Sequence, residues 1–203
     1  MALTSESLAA GLSRIADQME RSADELNGLD AQIGDGDLGV TMVRIGRGLR
    51  DIGSDLPDDL GLALMTCVQT ITKISGSSYA TLVATALMSA AKVCKGRASV
   101  PMSEMSALLS AAADAMMARG KTKLGDKTVI DAVDSAAKAI DGLDDGPAIV
   151  GAAATAVEAT IEEMRDKPSK VGRARIFADK TIGLDDPGMV AFRYMINGLR
   201  SQG

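Results

Sequence analysis

Apolar residues recur along this chain at steps of three and four, the repeat that places side chains on one face of an α-helix. Leu8, Leu12, Ile15, Met19 and Leu26 form the first such stripe, and Leu60, Ala63, Leu64, Cys67, Val68 and Ile71 form another. Met105, Leu108, Leu109, Ala112 and Met116 repeat the pattern, as do Val129, Val133, Ala136, Ala137 and Ile140, then Val150, Val157, Ile161 and Met164. Breakers separate the stripes: Gly28, Gly34 and Gly36; Gly53 and Pro57; the stretch from Lys73 to Ser78; Gly96 and Pro101; Gly120 to Lys127; Gly142 to Pro147. Asp186-Pro187 reads as an N-cap followed by proline at the first helical position, so a last helix is expected from there. The pattern predicts an all-α fold of about eight helices. No β-branched or aromatic run alternates with period two, so no substantial sheet is expected. Nothing reads as a repeat or an interdomain linker, and residues 1–203 are expected to form a single domain.

Composition narrows the chemistry. Aromatics make up only 2% of the 203 residues, so Ala, Leu, Ile, Val and Met must fill the core, and small side chains favour close helix packing. A net charge of −5 argues against general nucleic-acid binding, which needs a basic face, but leaves room for a small phosphorylated ligand whose charge is met by cations. The chain has no histidine, which excludes a Ser-His-Asp triad, a Cys-His dyad and the commonest metal ligand. Cys67 and Cys94 fall inside apolar helical stripes and read as buried thiols in a reducing, cytoplasmic setting. The N-terminus lacks the features of a secretory signal, and the longest apolar stretch is too short to span a bilayer, so no membrane association is expected.

The densest chemistry lies in Leu29-Asp30-Ala31-Gln32-Ile33-Gly34-Asp35-Gly36-Asp37-Leu38-Gly39. A bend at the glycines turns Asp35 and Asp37 towards Asp30, and three converging carboxylates stay ionised together only around a cation. Oxygen ligands without His or Cys select Mg²⁺, Mn²⁺ or Ca²⁺. A calcium loop wants glutamate at its twelfth position, where this chain has Thr41 counted from Asp30 or Gly46 counted from Asp35; Mg²⁺ with a ligand phosphate suits the residues better. The same residues also suit a solvated turn whose acids cap backbone N–H groups. Ile74-Ser75-Gly76-Ser77-Ser78 opens a helix and offers hydroxyls and N–H groups to an anion, or simply a serine cap. Gly125-Asp126-Lys127-Thr128 reads equally well as an Asp/Thr cap with a solvated lysine. Residues 165–188 do not form one amphipathic helix and carry the cations Lys167, Lys170, Arg173, Arg175 and Lys180 besides Arg165, so a basic lid or anion contact is expected there.

Taken in order, "GLDAQIGDGDLG", "KISG", "RGKTKLGDKT" and "GRARIFADKTIGLDDPG" resemble the nucleotide-binding L subunit of dihydroxyacetone kinases, the DhaL or DAK2 family. The resemblance runs over almost the whole chain. It implies a closed, barrel-like bundle of eight antiparallel helices with ATP or ADP on the loops at one rim. It implies that Asp30, Asp35 and Asp37 hold two Mg²⁺ ions. It further implies nucleotide contacts from the stretch Leu38, Gly39, Val40 and Thr41, from the phosphate loop Ile74, Ser75 and Gly76, from Gly120 and Val129 beside the base and sugar, and from Arg173, Asp186, Pro187 and Gly188. In the family a histidine on a separate K subunit holds the keto-sugar, so a K-type partner is implied, with either ATP or a phosphotransferase-system protein as phosphoryl donor. Two departures stand out. Leu38 occupies the family's histidine position, and Thr72-Lys73 replaces two glycines of the phosphate loop. They leave open a non-catalytic, nucleotide-sensing module as the alternative.

Overall fold

The structure, a computed structural model, describes residues 2–200. Eight α-helices follow one another: α1 Ser5–Ile33, α2 Leu38–Asp51, α3 Leu60–Ile74, α4 Ser78–Cys94, α5 Met105–Gly120, α6 Val129–Ala139, α7 Gly146–Arg165 and α8 Pro187–Leu199. Strands β1 (Ala2–Thr4) and β2 (Ser99–Pro101) pair antiparallel, Leu3 opposite Val100, and three short 3-10 segments lie between helices. The expected all-α class holds, with this two-stranded ribbon as its small exception.

Each helix packs on the next, and α8 returns to α1, so the eight close into a ring. Most connections are ten residues or fewer and favour antiparallel neighbours, the exception being residues 166–186 between α7 and α8. The ends of α1, α3, α5 and α7 and the starts of α2, α4, α6 and α8 therefore share one rim.

The apolar stripes face inward. Met19 and Leu26 of α1 meet Met42, Ala136, Val157, Ile161 and Met189 in one fully buried cluster; Leu12, Ile45, Cys67 and Ile71 build another. Small residues set the spacing. A Cβ on Gly39 would lie 2.0 Å from the carbonyl oxygen of Ala23, so only glycine lets α2 approach α1 this closely. Cys67 and Cys94 are free and buried, and burial pushes the Cys67 thiol up to about 11, which suits the inert role expected of it.

Rim helices begin with side-chain caps: Ser77 accepts from the Ala80 N–H, Asp186 from the Met189 N–H, and Thr128 with Asp131 forms a capping box. Helix α2 differs. Its N-cap residue, Asp37, makes no side-chain cap, and Asp30 supplies it from the end of α1.

Candidate functional site

At the shared rim a cavity of about 490 Å³ opens to solvent. Its wall is made from Asp30 at the end of α1, Asp35 and Asp37 on the connecting loop, Leu38 and Thr41 of α2, Gly76 to Tyr79, Arg119 and Gly120, Lys127 to Ile130, Val171 to Ala174, and Asp186 to Gly188. The first turns of α2, α4, α6 and α8 thus converge on one space. Each brings the positive end of its dipole, an environment suited to an anion.

The carboxylates sit at the mouth. Oxygen atoms of Asp30, Asp35 and Asp37 lie within 4.8 Å of one another. Asp30 Oδ2 accepts the N–H groups of Asp37 (3.0 Å) and Leu38 (3.3 Å), so it caps α2 in place of Asp37. That leaves the exposed Asp37 carboxylate free of capping. The bend needs its glycines: Gly36 has φ +77°, and a Cβ on Gly34 would meet Asp30 Oδ1 at 2.2 Å. Arg173, from the basic segment, forms an ion pair with Asp35. Three hard oxygen donors at this separation fit Mg²⁺.

On the far wall, burial pushes the Asp186 carboxyl up to about 6; the Met189 N–H and Lys127 act against that shift, and the charge of Asp131 adds to it. Burial likewise pushes the Tyr79 hydroxyl up.

Of the residues singled out in the sequence, Asp30, Asp35, Asp37, Leu38, Thr41, Gly76, Gly120, Val129, Arg173, Asp186, Pro187 and Gly188 all line this cavity. Four do not. Gly39 faces α1, and Val40 is exposed while its N–H donates to Asn27 Oδ1 (3.2 Å). Ile74 packs with the Leu12–Ile71 cluster, and Ser75 Oγ accepts the Ser77 N–H (3.2 Å). Helix α3 runs on through Thr72-Lys73-Ile74, and Lys73 is exposed outside the cavity. Leu38 is 8% exposed and belongs to the main core cluster.

Several lining residues, Tyr79, Leu82 and Ile130 among them, are not marked out by any motif in the sequence. Tyr79 follows the Ser77 cap directly, and its position on the first turn of α4 was the available signal. Lys127, in a turn that suits a functional loop and a cap with a solvated lysine equally well, is 1% exposed. The expected irregular lid is also more ordered than its composition suggested, since Ala174–Thr181 forms 3-10 turns.

A closed ring of eight helices, with a carboxylate cluster and four helix N-termini at one rim, defines a class of all-α proteins equipped to hold a divalent cation beside an anionic ligand. Within that class the chain belongs to the DAK2 domain family, whose model matches residues 32–201. It is 28% identical to the ADP-binding subunit DhaL of the PEP-dependent dihydroxyacetone kinase of Escherichia coli, over 98% of this chain and 97% of that one. It is 33% identical to the L-erythrulose 1-kinase of Mycolicibacterium smegmatis over 86% of this chain, which spans 32% of that longer protein. The dihydroxyacetone kinase of C. freundii, solved in complex with AMP-PNP and Mg²⁺, superposes with a TM-score of 0.73 at 25% identity, covering 94% of this chain and 33% of that one. Among the described residues no helix is long and apolar enough to cross a membrane.

Proposed function

We propose that this chain is the Mg²⁺-dependent ATP/ADP-binding subunit of a two-part kinase for dihydroxyacetone or a related short keto-sugar. In this reading it passes phosphate to a substrate held by a separate K-type subunit. The observation that carries the reading is the convergence of Asp30, Asp35 and Asp37 with four helix N-termini on one cavity. The relatives' names agree with it: one is an ADP-binding subunit and another a keto-sugar kinase.

Asp30, Asp35 and Asp37 would hold Mg²⁺, two ions by the family resemblance, which neutralises phosphate charge when bound. The N–H groups of Ser78 and Tyr79, opening α4, orient phosphate oxygens, and Arg173 exchanges its Asp35 partner for phosphate. Gly120 and Val129 border the base and sugar. Phosphoryl transfer depends on such positioning and charge more than on proton chemistry, so the lack of histidine is no obstacle. A phosphotransferase-system protein as donor to resident ADP fits the same site as exchanging ATP.

The burial of Leu38 and the helical Thr72-Lys73 favour a second reading, a subunit that binds and senses nucleotide without transferring phosphate. Titration with ADP and ATP, with and without Mg²⁺, tests the shared core of both. Mg²⁺-dependent saturable binding is the expected result, and none with either nucleotide would overturn it. Turnover with a K-type subunit then separates the two readings.

A further inference from the structure

Among the described residues Lys127 is the largest fully buried side chain, and a lone buried ammonium demands partners. It has three, all carbonyl oxygens of the segment that carries Arg173: Arg165 at 3.0 Å, Lys167 at 2.9 Å and Thr181 at 2.8 Å. An ammonium has three protons, so each is used. The three acceptors come from both ends of residues 165–181, and the ammonium therefore ties the start of that excursion to its finish.

The surroundings reinforce the tie. Thr181, 0% exposed, accepts the Ser169 N–H on Oγ1 (2.8 Å) and donates from the same hydroxyl to the Ala178 carbonyl (2.7 Å). The Gly183 N–H donates to the Arg165 carbonyl (2.8 Å), the Lys170 N–H to the Asp126 carbonyl (3.2 Å), and the Arg165 guanidinium grips Asp185. Two non-glycine residues here have left-handed backbone, Lys127 at φ 60° and Ala178 at φ 46°. Such strain persists only where the surroundings over-determine it. By contrast Arg173, at the tip of the excursion, is exposed and reaches across to Asp35. The segment has a locked base and a presented tip.

We propose that Lys127 is a positioning residue for the nucleotide site. Its ammonium is a three-carbonyl clasp that holds the basic segment closed at its base, so that Arg173 is presented to the phosphates beside the carboxylate cluster. This rests on the nucleotide-binding reading above and adds to it the device that builds one wall of the site. The clasp also leaves Lys127 without a free N–H to donate to ligand.

The test is a double-mutant cycle of Lys127→Met and Arg173→Ala, read by Mg·ADP titration and by amide hydrogen exchange. Lys127→Met should melt cooperatively, while the amides of Ser169, Lys170 and Gly183 lose protection. Arg173→Ala alone should weaken Mg·ADP roughly tenfold to a hundredfold, the range for one charge-assisted hydrogen bond. In the Lys127→Met background the same change should cost less than about threefold, because coupled residues are not additive. Equal costs of Arg173→Ala in both backgrounds, or unchanged loop protection in Lys127→Met, would overturn the proposal; a merely structural lysine lowers the melting temperature yet leaves the costs additive. Should Lys127→Met fail to fold, Lys127→Gln, with two N–H donors for three carbonyls, carries the same cycle. If the unaltered chain binds no Mg·ADP, the nucleotide reading falls, and the positioning role falls with it; if that binding is intact while the cycle is additive, only the positioning role falls.

Discussion

At the scale of single residues, the three aspartates at the cavity mouth have different duties. Asp30 caps α2 through two N–H groups, Asp35 pairs with Arg173, and Asp37 makes no cap. Asp37→Asn should therefore abolish Mg²⁺-dependent nucleotide binding and leave the melting temperature of the ligand-free chain unchanged or raised, since like-charge repulsion is relieved. Asp30→Ala should lose binding and also about 1 kcal/mol of stability, the usual worth of a helix cap. Calorimetric melts beside nucleotide titrations check both, and retained Mg·ADP affinity in Asp37→Asn would contradict the metal assignment. Asp186 makes a separate case. Its carboxyl is pushed from an ordinary 3.8 up to about 6 by burial. The folded chain thus holds a proton that the unfolded chain has released, so this group's stabilisation is full below about 4 and is lost as pH rises through about 6. Asparagine at this position keeps the cap on the Met189 N–H and has nothing to titrate. The melting temperature of Asp186→Asn, relative to the unaltered chain, should climb between pH 4 and pH 7; a constant difference across melts in that range would refute the shift.

At the scale of elements, Gly39 shows how a motif position serves packing. Its family match implies a nucleotide contact, yet it lies where α2 crosses α1, with the Ala23 carbonyl oxygen 2.0 Å from any added Cβ. Gly39→Ala should cost roughly 1–3 kcal/mol, as overpacking of a close contact does. A melt beside a Mg·ADP titration checks this: a lowered melting temperature with binding retained is expected, and an unchanged melting temperature with binding lost would return the residue to the ligand. The α3–α4 connection follows similar logic. Where two glycines would open a loop, Thr72 and Lys73 carry α3 on to Ile74, since neither breaks a helix and the Thr72 hydroxyl bonds back to the Val68 carbonyl (2.9 Å).

At the scale of the whole molecule, ring closure turns eight amphipathic stripes into one site. Each pair of antiparallel helices delivers one C-terminus and one N-terminus to the rim, so four dipoles point at one cavity although the chain carries a net charge of −5. The chain has no histidine, and the lysine in the cavity wall is already bonded to three carbonyls, so neither group is free to capture a carbonyl substrate covalently. Mixed with Mg·ATP and dihydroxyacetone, the chain alone should show no phosphoryl transfer, and activity should appear on adding a K-type subunit; a coupled ADP-release assay checks this, and robust turnover without a partner would contradict it.

The helices were legible because period and breakers are local properties. The stripes from Leu8 to Leu26 and from Met105 to Met116 announce buried faces, and Asp186-Pro187 announces the start of α8. The carboxylate triad was legible too, since eight residues with glycines between them fold back on themselves. Tertiary structure alone decided that Asp30 caps α2, that Gly39 faces a helix, and that Lys127, a surface residue by its chemistry, lies buried under carbonyls 38 to 54 positions further along. The reason is physical. A stripe is written in neighbours three and four apart, whereas the partner that makes a buried charge tolerable is supplied only when distant segments meet.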